Sequence, residues 1–180
     1  GDEINIISTN KSVYGYMALG GELDIKFQWN SCSINTKANI GSNNGKKLEE
    51  GQRINLKKIN LNKDIKKISY INTKIENIRV MRGTNYDYFS EQGKQIFYEK
   101  EFIVSKLSDR MGMRLEGPKI ENIFNTNIKS EGLIKGVIQV PADGNPIIML
   151  SDHGTVGGYP KIGVVASVDY DRLVQMSPGS

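Results

Sequence analysis

The sequence predicts a mainly β protein, a barrel or a sandwich, with one or two short helices. Three observations lead to this class. Short segments of alternating apolar and polar residues run through nearly the whole chain, glycine- and asparagine-rich turns separate them, and one segment shows clear helical spacing. A length of 180 residues suffices for one well-packed domain, or for one large and one small domain.

Several segments have the alternation of a β-strand, in which every second side chain faces the same side of a sheet. They are residues 4–8, 13–19, 53–59, 77–82, 101–108, 113–117, 136–141, 146–152 and 161–168. Between strands, turns favour glycine or asparagine because a positive φ costs these residues little. The predicted turns are GGELD (20–24), GSNNGKK (41–47) and ADGNP (142–146).

Helices are predicted at two places, with one further helical turn at 119–125. In residues 84–97, apolar side chains recur at helical spacing, and Thr84 stands three residues before Asp87 in a capping-box arrangement. In residues 168–176, Asp169 is the predicted cap of a short helix. We expect the first helix to lie over one mouth or face of the β structure.

Three regions are expected along the chain: residues 1–60 form a partial first β subdomain or barrel-completing strands, 61–76 form a lysine- and asparagine-rich junction, and 77–180 form the barrel domain. Because the sequence begins with GDEINI, which has the alternation of a strand, it is expected to be a piece of a longer protein. It shows no signal peptide.

Composition argues against nucleic-acid and membrane partners. Lys+Arg number 24 and Asp+Glu 20, and the lysines are interspersed with asparagine and isoleucine rather than with stacking aromatic residues. No apolar run approaches the ~20 residues that a membrane helix needs. The single Cys32 cannot form an intramolecular disulfide, so we expect a reducing, cytoplasmic environment. Cys32 is a reactive thiol or, as we expect because no histidine lies near it in sequence, a small buried or half-buried residue.

The segment SDRMGMRLEG holds the first candidate site. Asp109 and Arg110 converge if they lie in a turn, and Arg110 and Arg114 each offer a planar guanidinium to a carboxylate or phosphate. The alternative is a structural turn, in which Asp109 binds backbone amides while Met111, Met113 and Leu115 fill the core.

The second candidate is Gln139 with the loop SDHGTVGGYPKI. Gln139 alternates with apolar neighbours, so its amide faces a barrel interior or cleft, or else lies exposed at a sheet edge, which is the simpler reading. Glycines of the loop can present backbone N–H groups to an anion, but the spacing is not that of a P-loop. His153 is an acid–base candidate or an ordinary loop residue; without a second histidine or a nearby cysteine, no metal site is expected.

Taken in order, the strings RVMRGTNYDYF, SDRMGMRLEGP, SEGLIKGVIQVPADGNPIIMLSDHGTVGGYPKIGVV and DRLVQMSPG resemble the KipA family over essentially the whole chain. This family has the carboxyltransferase-type, "allophanate hydrolase subunit 2" domain and is also known as the C subunit of bacterial 5-oxoprolinase. The resemblance implies a cyclophilin-like β-barrel. It also implies two partner proteins in the same enzyme, one KipI-like and one of the LamB/YcsF type.

The implied activity is the ATP-dependent opening of 5-oxoproline, a lactam, to glutamate by the assembled complex, with the isolated chain inactive. ATP is therefore expected at the level of the complex, since the chain shows no nucleotide motif of its own. Two alternatives remain. The first is the carboxyltransferase domain of a biotin-dependent urea or amide carboxylase, with biotin arriving on another chain. The second is a KipI-binding regulatory protein without chemistry.

The resemblance also implies site residues. Asp109, Arg110 and Asp152 are the catalytic candidates. The substrate-binding candidates are Arg114, Gln139, Thr155, Gly157, Gly158, Tyr159 and Lys161, and the motifs also include Gly112 and Asp143. The chain departs from the family at His153, Gly154 and Val156, because many relatives read ADRQTTGGYP where this chain reads SDHGTVGGYP. These departures put the identity of the substrate in question.

Overall fold

The computed structural model describes residues 2–7, 12–59 and 75–180. The chain divides into two compact units, one of Tyr16–Tyr70 and one that combines Gly1–Gly15 with Ile71–Ser180. The predicted junction at 61–76 lies almost wholly outside the described residues. The subdivision at 60 and 77 therefore stays a prediction.

The smaller unit contains one antiparallel ribbon of β1 (Gly21–Leu23) and β2 (Leu56–Ile59). The strand predicted at 53–59 is confirmed, but the turn predicted at 20–24 is wrong, because this segment contains β1. Gly21 allows the two strands to pair closely, because a Cβ at this position would lie 2.2 Å from the carbonyl oxygen of Lys58. The GSNNGKK turn is confirmed by a 3-10 turn at Asn43–Gly45 in which all three residues have positive φ. The expected burial of Cys32 is wrong, because its side chain is exposed.

The larger unit contains eight strands among its described residues. Six of them form one antiparallel sheet in the order β3-β10-β7-β8-β5-β4, and β6 and β9 form a separate two-stranded ribbon. The strands are β3 (Val80–Arg82), β4 (Ile103–Val104), β5 (Gly112–Glu116), β6 (Glu131–Gly132), β7 (Val137–Gln139), β8 (Ile147–Met149), β9 (Val156–Gly157) and β10 (Lys161–Val165).

The mainly β class is thus confirmed, and so are the strands predicted between 77 and 168. All but β5 are shorter than their sequence patterns; β5 has the predicted length and begins one residue earlier. The sheet is open over the described ranges, with β3 and β4 at opposite edges, so barrel closure is not seen there. The strands predicted at 4–8 and 13–19 are wrong for residues 4–7 and 13–19, which have no strand structure; Ser8 lies outside the described residues. The ADGNP turn is confirmed by a positive φ at Gly144.

Two short helices are confirmed, α1 (Glu91–Glu99) and α2 (Ser167–Leu173). The first begins later than predicted. A separate 3-10 turn covers Tyr86–Tyr88, Phe89 is extended, and the Ser90 side chain caps α1 by accepting a hydrogen bond from the Gly93 amide at 3.0 Å. Thr84 therefore does not cap this helix. Its hydroxyl lies 3.4 Å from the side-chain oxygen of Asn85.

Two further helix predictions are wrong. Residues 119–125 contain bends rather than a helical turn, and Asn122 forms an isolated bridge with Phe89. Asp169 does not cap α2, whose N-cap residue is Ala166. Instead the buried Asp169 carboxylate accepts hydrogen bonds from the backbone N–H of Arg79 at 2.9 Å and from its guanidinium at 2.8 and 2.7 Å.

This pairing predicts an acid-sensitive contribution to stability. The hydrogen bonds from Arg79 lower the pKa of Asp169 from 3.8 to about 2. A carboxylate whose folded-state pKa is depressed stabilises the protein above its unfolded-state pKa, and this contribution is lost as the pH falls through the folded-state value. Asp169→Asn should therefore unfold at lower urea concentration at pH 7 and lose less stability between pH 3.8 and pH 2. Asp171→Asn, an exposed neighbour, is the matched control and should follow the wild-type profile.

The core lies between the sheet and the two helices. Phe89, Val140, Ile162 and Leu173 are fully buried there. Close backbone approach also matters, because a Cβ on Gly83 would lie 2.3 Å from the carbonyl oxygen of Lys161. No helix among the described residues is long and apolar enough to cross a membrane.

Candidate functional site

Asp109 forms the turn that leads into β5. Its Oδ1 accepts hydrogen bonds from the backbone amides of Met111 at 2.7 Å and Gly112 at 3.1 Å, while its own amide donates to the Gly112 carbonyl at 3.1 Å. The structural alternative for Asp109 is therefore present. The predicted burial of the methionines is only partly confirmed, because Met113 is buried whereas Met111 is exposed.

Arg110 and Asp152 form a bidentate ion pair across the ends of β5 and β8. Arg110 Nε lies 2.9 Å from Asp152 Oδ2, and Nη2 lies 3.3 Å from Oδ1. Backbone hydrogen bonds hold the two residues next to each other. The Asp152 amide donates to the Arg110 carbonyl and the Leu150 amide donates to the Met111 carbonyl, each at 3.0 Å. Two residues that are 42 positions apart in sequence are thus held side by side.

The pair leaves part of the guanidinium available to a ligand. Arginine carries five N–H donors, and the bidentate contact uses one edge of the fork. The Arg110 side chain is 62% exposed and that of Asp152 is 31% exposed. The remaining donors can therefore reach a carboxylate or a developing oxyanion, while Asp152 fixes the plane of the guanidinium.

Tyr14, which was not among the residues predicted from sequence, lies in the electrostatic environment of this pair. Burial raises the pKa of the half-buried Tyr14 phenol, Arg110 lowers it, and Asp109 and Asp152 raise it. The Gln175 side chain holds the segment in place. Its Oε1 accepts from the amides of Val13 at 3.0 Å and Tyr14 at 2.8 Å, and its Nε2 donates to the Tyr14 carbonyl at 3.2 Å.

We expect Gln175→Ala to release this segment. Each lost hydrogen bond removes about 1 kcal/mol of local stability, so the amides of Val13 and Tyr14 should exchange with deuterium about ten-fold faster or more. Hydrogen exchange read by NMR measures this. Gln95→Ala removes a glutamine that bonds the exposed Glu99 on α1 and should leave both amides unchanged. Equal exchange rates in the Gln175→Ala variant and the wild type would contradict the anchoring role.

A second group of predicted residues lies where β7 and β10 meet the β6–β9 ribbon. Gln139 is buried, so its exposed-edge interpretation is wrong, and its Nε2 donates to the Tyr159 carbonyl at 2.9 Å. It pairs in register with Lys161, whose Nζ lies 2.5 Å from Glu131 Oε2. A Cβ on Gly157 would lie 2.8 Å from Leu133 Cδ1 and 2.9 Å from Gln139 Nε2, so a larger residue there would require these side chains to shift.

The rest of the glycine-rich loop lies at the surface. Residues 150–155 connect β8 to β9, and the carbonyl of the exposed Thr155 accepts from the Leu133 amide at 3.0 Å. Gly158 accepts in the same way from Ile128 at 2.9 Å. His153 Nδ1 donates to the Gly154 carbonyl at 2.6 Å.

Arg114 belongs to a third group. Its side chain lines a shallow depression of about 90 Å³ together with Asp143 and Asn145, above the buried Ser105. The Ser105 hydroxyl donates to Glu116 at the same depression. The structure therefore distributes the predicted residues over three sets of contacts, and the direct pairing of two catalytic candidates occurs at Arg110 and Asp152. No group of three or more possible metal ligands occurs among the residues with described positions.

The larger unit thus combines an antiparallel sheet and two short helices with a bidentate Arg–Asp pair and a buried Gln–Lys register pair. The chain belongs to the family described as "Carboxyltransferase domain, subdomain A and B", whose profile matches residues 1–180.

Particular relatives resemble this chain. The chain is 30% identical to the C subunit of 5-oxoprolinase from Escherichia coli K12 over 183 aligned residues, covering 99% of this chain and 58% of that protein. It is 31% identical to the protein of the same name from Haemophilus influenzae, covering 93% of this chain and 54% of that protein. The chain thus spans little more than half the length of these relatives.

Solved structures show the same fold. The structure of TTHA0988 has a TM-score of 0.72 at 26% identity, covering 88% of this chain and 30% of that one. The urea amidolyase of K. lactis has a TM-score of 0.71 at 22% identity, covering 89% of this chain and 11% of that one.

Proposed function

We propose that this chain is part of the C subunit of an ATP-dependent 5-oxoprolinase, which opens 5-oxoproline to glutamate. The 30% and 31% identity to two proteins that carry this name supports the assignment. The main structural support for this assignment is the bidentate Arg110–Asp152 pair, because both residues lie on motif positions of the family. Such a protein works in a multi-subunit enzyme. We expect a KipI-like protein and a LamB/YcsF-type protein as its partners.

The chemistry of ring opening fits this pair. Attack on a lactam carbonyl places negative charge on its oxygen, and preorganised donors aimed at that oxygen lower the barrier. The free edge of Arg110 supplies such donors, and Asp152 keeps the guanidinium oriented. Asp109 shapes the turn that carries Arg110, because its Oδ1 binds two backbone amides of that turn.

The other predicted residues receive substrate-binding roles in this proposal. Gln139 and Lys161 present an amide and an ammonium at the β6–β9 ribbon, and Arg114 lines the shallow depression. Thr155, Gly157, Gly158 and Tyr159 belong to the segment that leads from β8 through β9 to β10. ATP is assigned to the assembled complex and not to a motif of this chain.

Carboxyl transfer to a urea-like amide is a second candidate function. The TM-score of 0.71 with a urea amidolyase favours it, and carboxyl transfer also builds negative charge on oxygen. Carboxybiotin would then arrive on another chain. A KipI-binding regulatory protein without chemistry is a third candidate, and the same experiment separates it from the other two.

The test is reconstitution of the full-length protein with its KipI-like and LamB/YcsF-type partners. We expect ATP-dependent release of glutamate from 5-oxoproline and no carboxylation of urea when a biotin carboxylase and carboxybiotin are supplied. Urea carboxylation without ring opening would favour the carboxylase. A stable complex that catalyses neither reaction would favour the regulatory protein.

A further inference from the structure

Lys161 is a buried cation with few acceptors around it. Its side chain is 5% exposed, and its ammonium donates to Glu131 Oε2 at 2.5 Å. Glu131 is the hydrogen-bond acceptor of this ammonium among the described residues. A lysine ammonium has three N–H donors, and buried polar groups are normally satisfied. Two N–H donors of this ammonium therefore remain for the oxygen atoms of a bound ligand.

Asn85 completes a cradle of donors beside Lys161. Asn85 is buried, its Oδ1 accepts from the Lys161 backbone N–H at 3.1 Å, and its own backbone N–H donates to the Lys161 carbonyl at 3.2 Å. The Asn85 side chain also acts on the Glu131 carboxylate: the hydrogen bond from Lys161 lowers the pKa of Glu131 most, and a side-chain hydrogen bond from Asn85 lowers it further. The cradle is thus built to hold a carboxylate, and Glu131 is the carboxylate that occupies it.

Glu131 differs from the groups that hold it. Its side chain is 45% exposed, and it lies on β6, a strand of two residues that pairs with β9 and not with the six-stranded sheet. The side chain can therefore rotate toward solvent while Asn85 and Lys161 stay fixed in the core. A bound carboxylate would then replace one ion pair with an equivalent one, so the lysine never loses its counterion.

We propose that the Asn85–Lys161 cradle is a binding site for the carboxylate of a small ligand, and that Glu131 occupies this site until the ligand displaces it. Glu131 is then a residue that competes with substrate rather than one that binds it. The identity of the ligand rests on the proposed function: 5-oxoproline and its opened product glutamate both carry a carboxylate. The cradle itself follows from the contacts of Lys161, Asn85 and Glu131.

The test measures binding and does not depend on turnover. Isothermal titration calorimetry of the complete protein compares 5-oxoproline, glutamate and 2-pyrrolidinone, which is the same lactam without a carboxylate. Glu131→Gln should bind 5-oxoproline or glutamate at least about ten-fold more tightly than the wild type, because the internal competitor has lost its charge. Binding of 2-pyrrolidinone should not change. The tighter of the two carboxylates identifies the ligand.

The matched control is Glu91→Gln, which removes an exposed carboxylate from its ion pair with Lys94 on α1 and should not alter binding. Glu131→Asp keeps the charge but shortens the side chain, so it should give an intermediate gain and also covers the case in which Glu131→Gln does not fold. Unchanged or weaker carboxylate binding in a folded Glu131 variant would overturn the proposal. An equal gain for 2-pyrrolidinone would overturn it as well. Absence of ring opening in the reconstituted complex would leave this binding result intact and count only against the proposed function.

Discussion

Replacing Arg110 by alanine should reduce ATP-dependent turnover of 5-oxoproline by the reconstituted complex about 10²–10³-fold, which is the usual effect of removing one preorganised oxyanion donor. The loss should appear mainly in kcat, since the interaction strengthens as charge develops on the carbonyl oxygen. Arg110→Lys should recover little of it. An ammonium cannot both make the bidentate contact with Asp152 and offer a second planar edge to the ligand.

The control for this variant is Arg172→Ala, which removes an exposed arginine from α2 and should leave turnover near the wild-type value. Size-exclusion chromatography must show that both variants assemble with their partners. Wild-type turnover by an assembled Arg110→Ala complex would remove the catalytic role of this arginine.

The second large effect is on stability. Phe89 is 0% exposed in the main core, between the 3-10 turn and the Ser90 cap of α1. Truncation to alanine removes a large buried surface and leaves a cavity that the surrounding backbone cannot fill. We expect Phe89→Ala to lower the free energy of unfolding by about 3–5 kcal/mol.

Urea unfolding followed by circular dichroism measures this loss. Phe124→Ala is the matched control: Phe124 is 60% exposed, and its loss should cost less than about 1 kcal/mol. Similar losses for both variants would contradict the position of Phe89 in the core. The Phe89 variant should be compared at low temperature, where enough of it remains folded.

The sequence pattern predicted much of the fold because alternation follows directly from the geometry of a strand. The segments around β5, β7, β8 and β10 were identified in this way. Alternation misled at residues 13–19. The amides of Val13 and Tyr14 bind the side chain of Gln175, which lies 162 and 161 positions away, instead of a neighbouring strand.

Local cap signals were less reliable because other contacts use the same side chains. Thr84 and Asp169 both had the residue type of a cap, but Thr84 lies beside Asn85 and Asp169 binds Arg79. Ser90, the cap that forms, follows Phe89, whose burial and bridge to Asn122 set the start of α1.

The candidate site was predicted in part. The motif resemblance identified Arg110 and Asp152, which the structure pairs, and Gln139 and Lys161, which lie in register. Tyr14, Gln175, Asn85 and Glu131 were not identified. Each reaches its partner through tertiary structure, and nothing in its local sequence indicates a charged or buried neighbour.

The most direct test of the catalytic role of the Arg110–Asp152 pair is the turnover of 5-oxoproline by a fully assembled complex that carries Asp152→Ala. We expect a large loss of activity with assembly intact, because Arg110 would lose the carboxylate that orients its guanidinium. Undiminished turnover by that complex would contradict the assignment of the Arg110–Asp152 pair as the catalytic site.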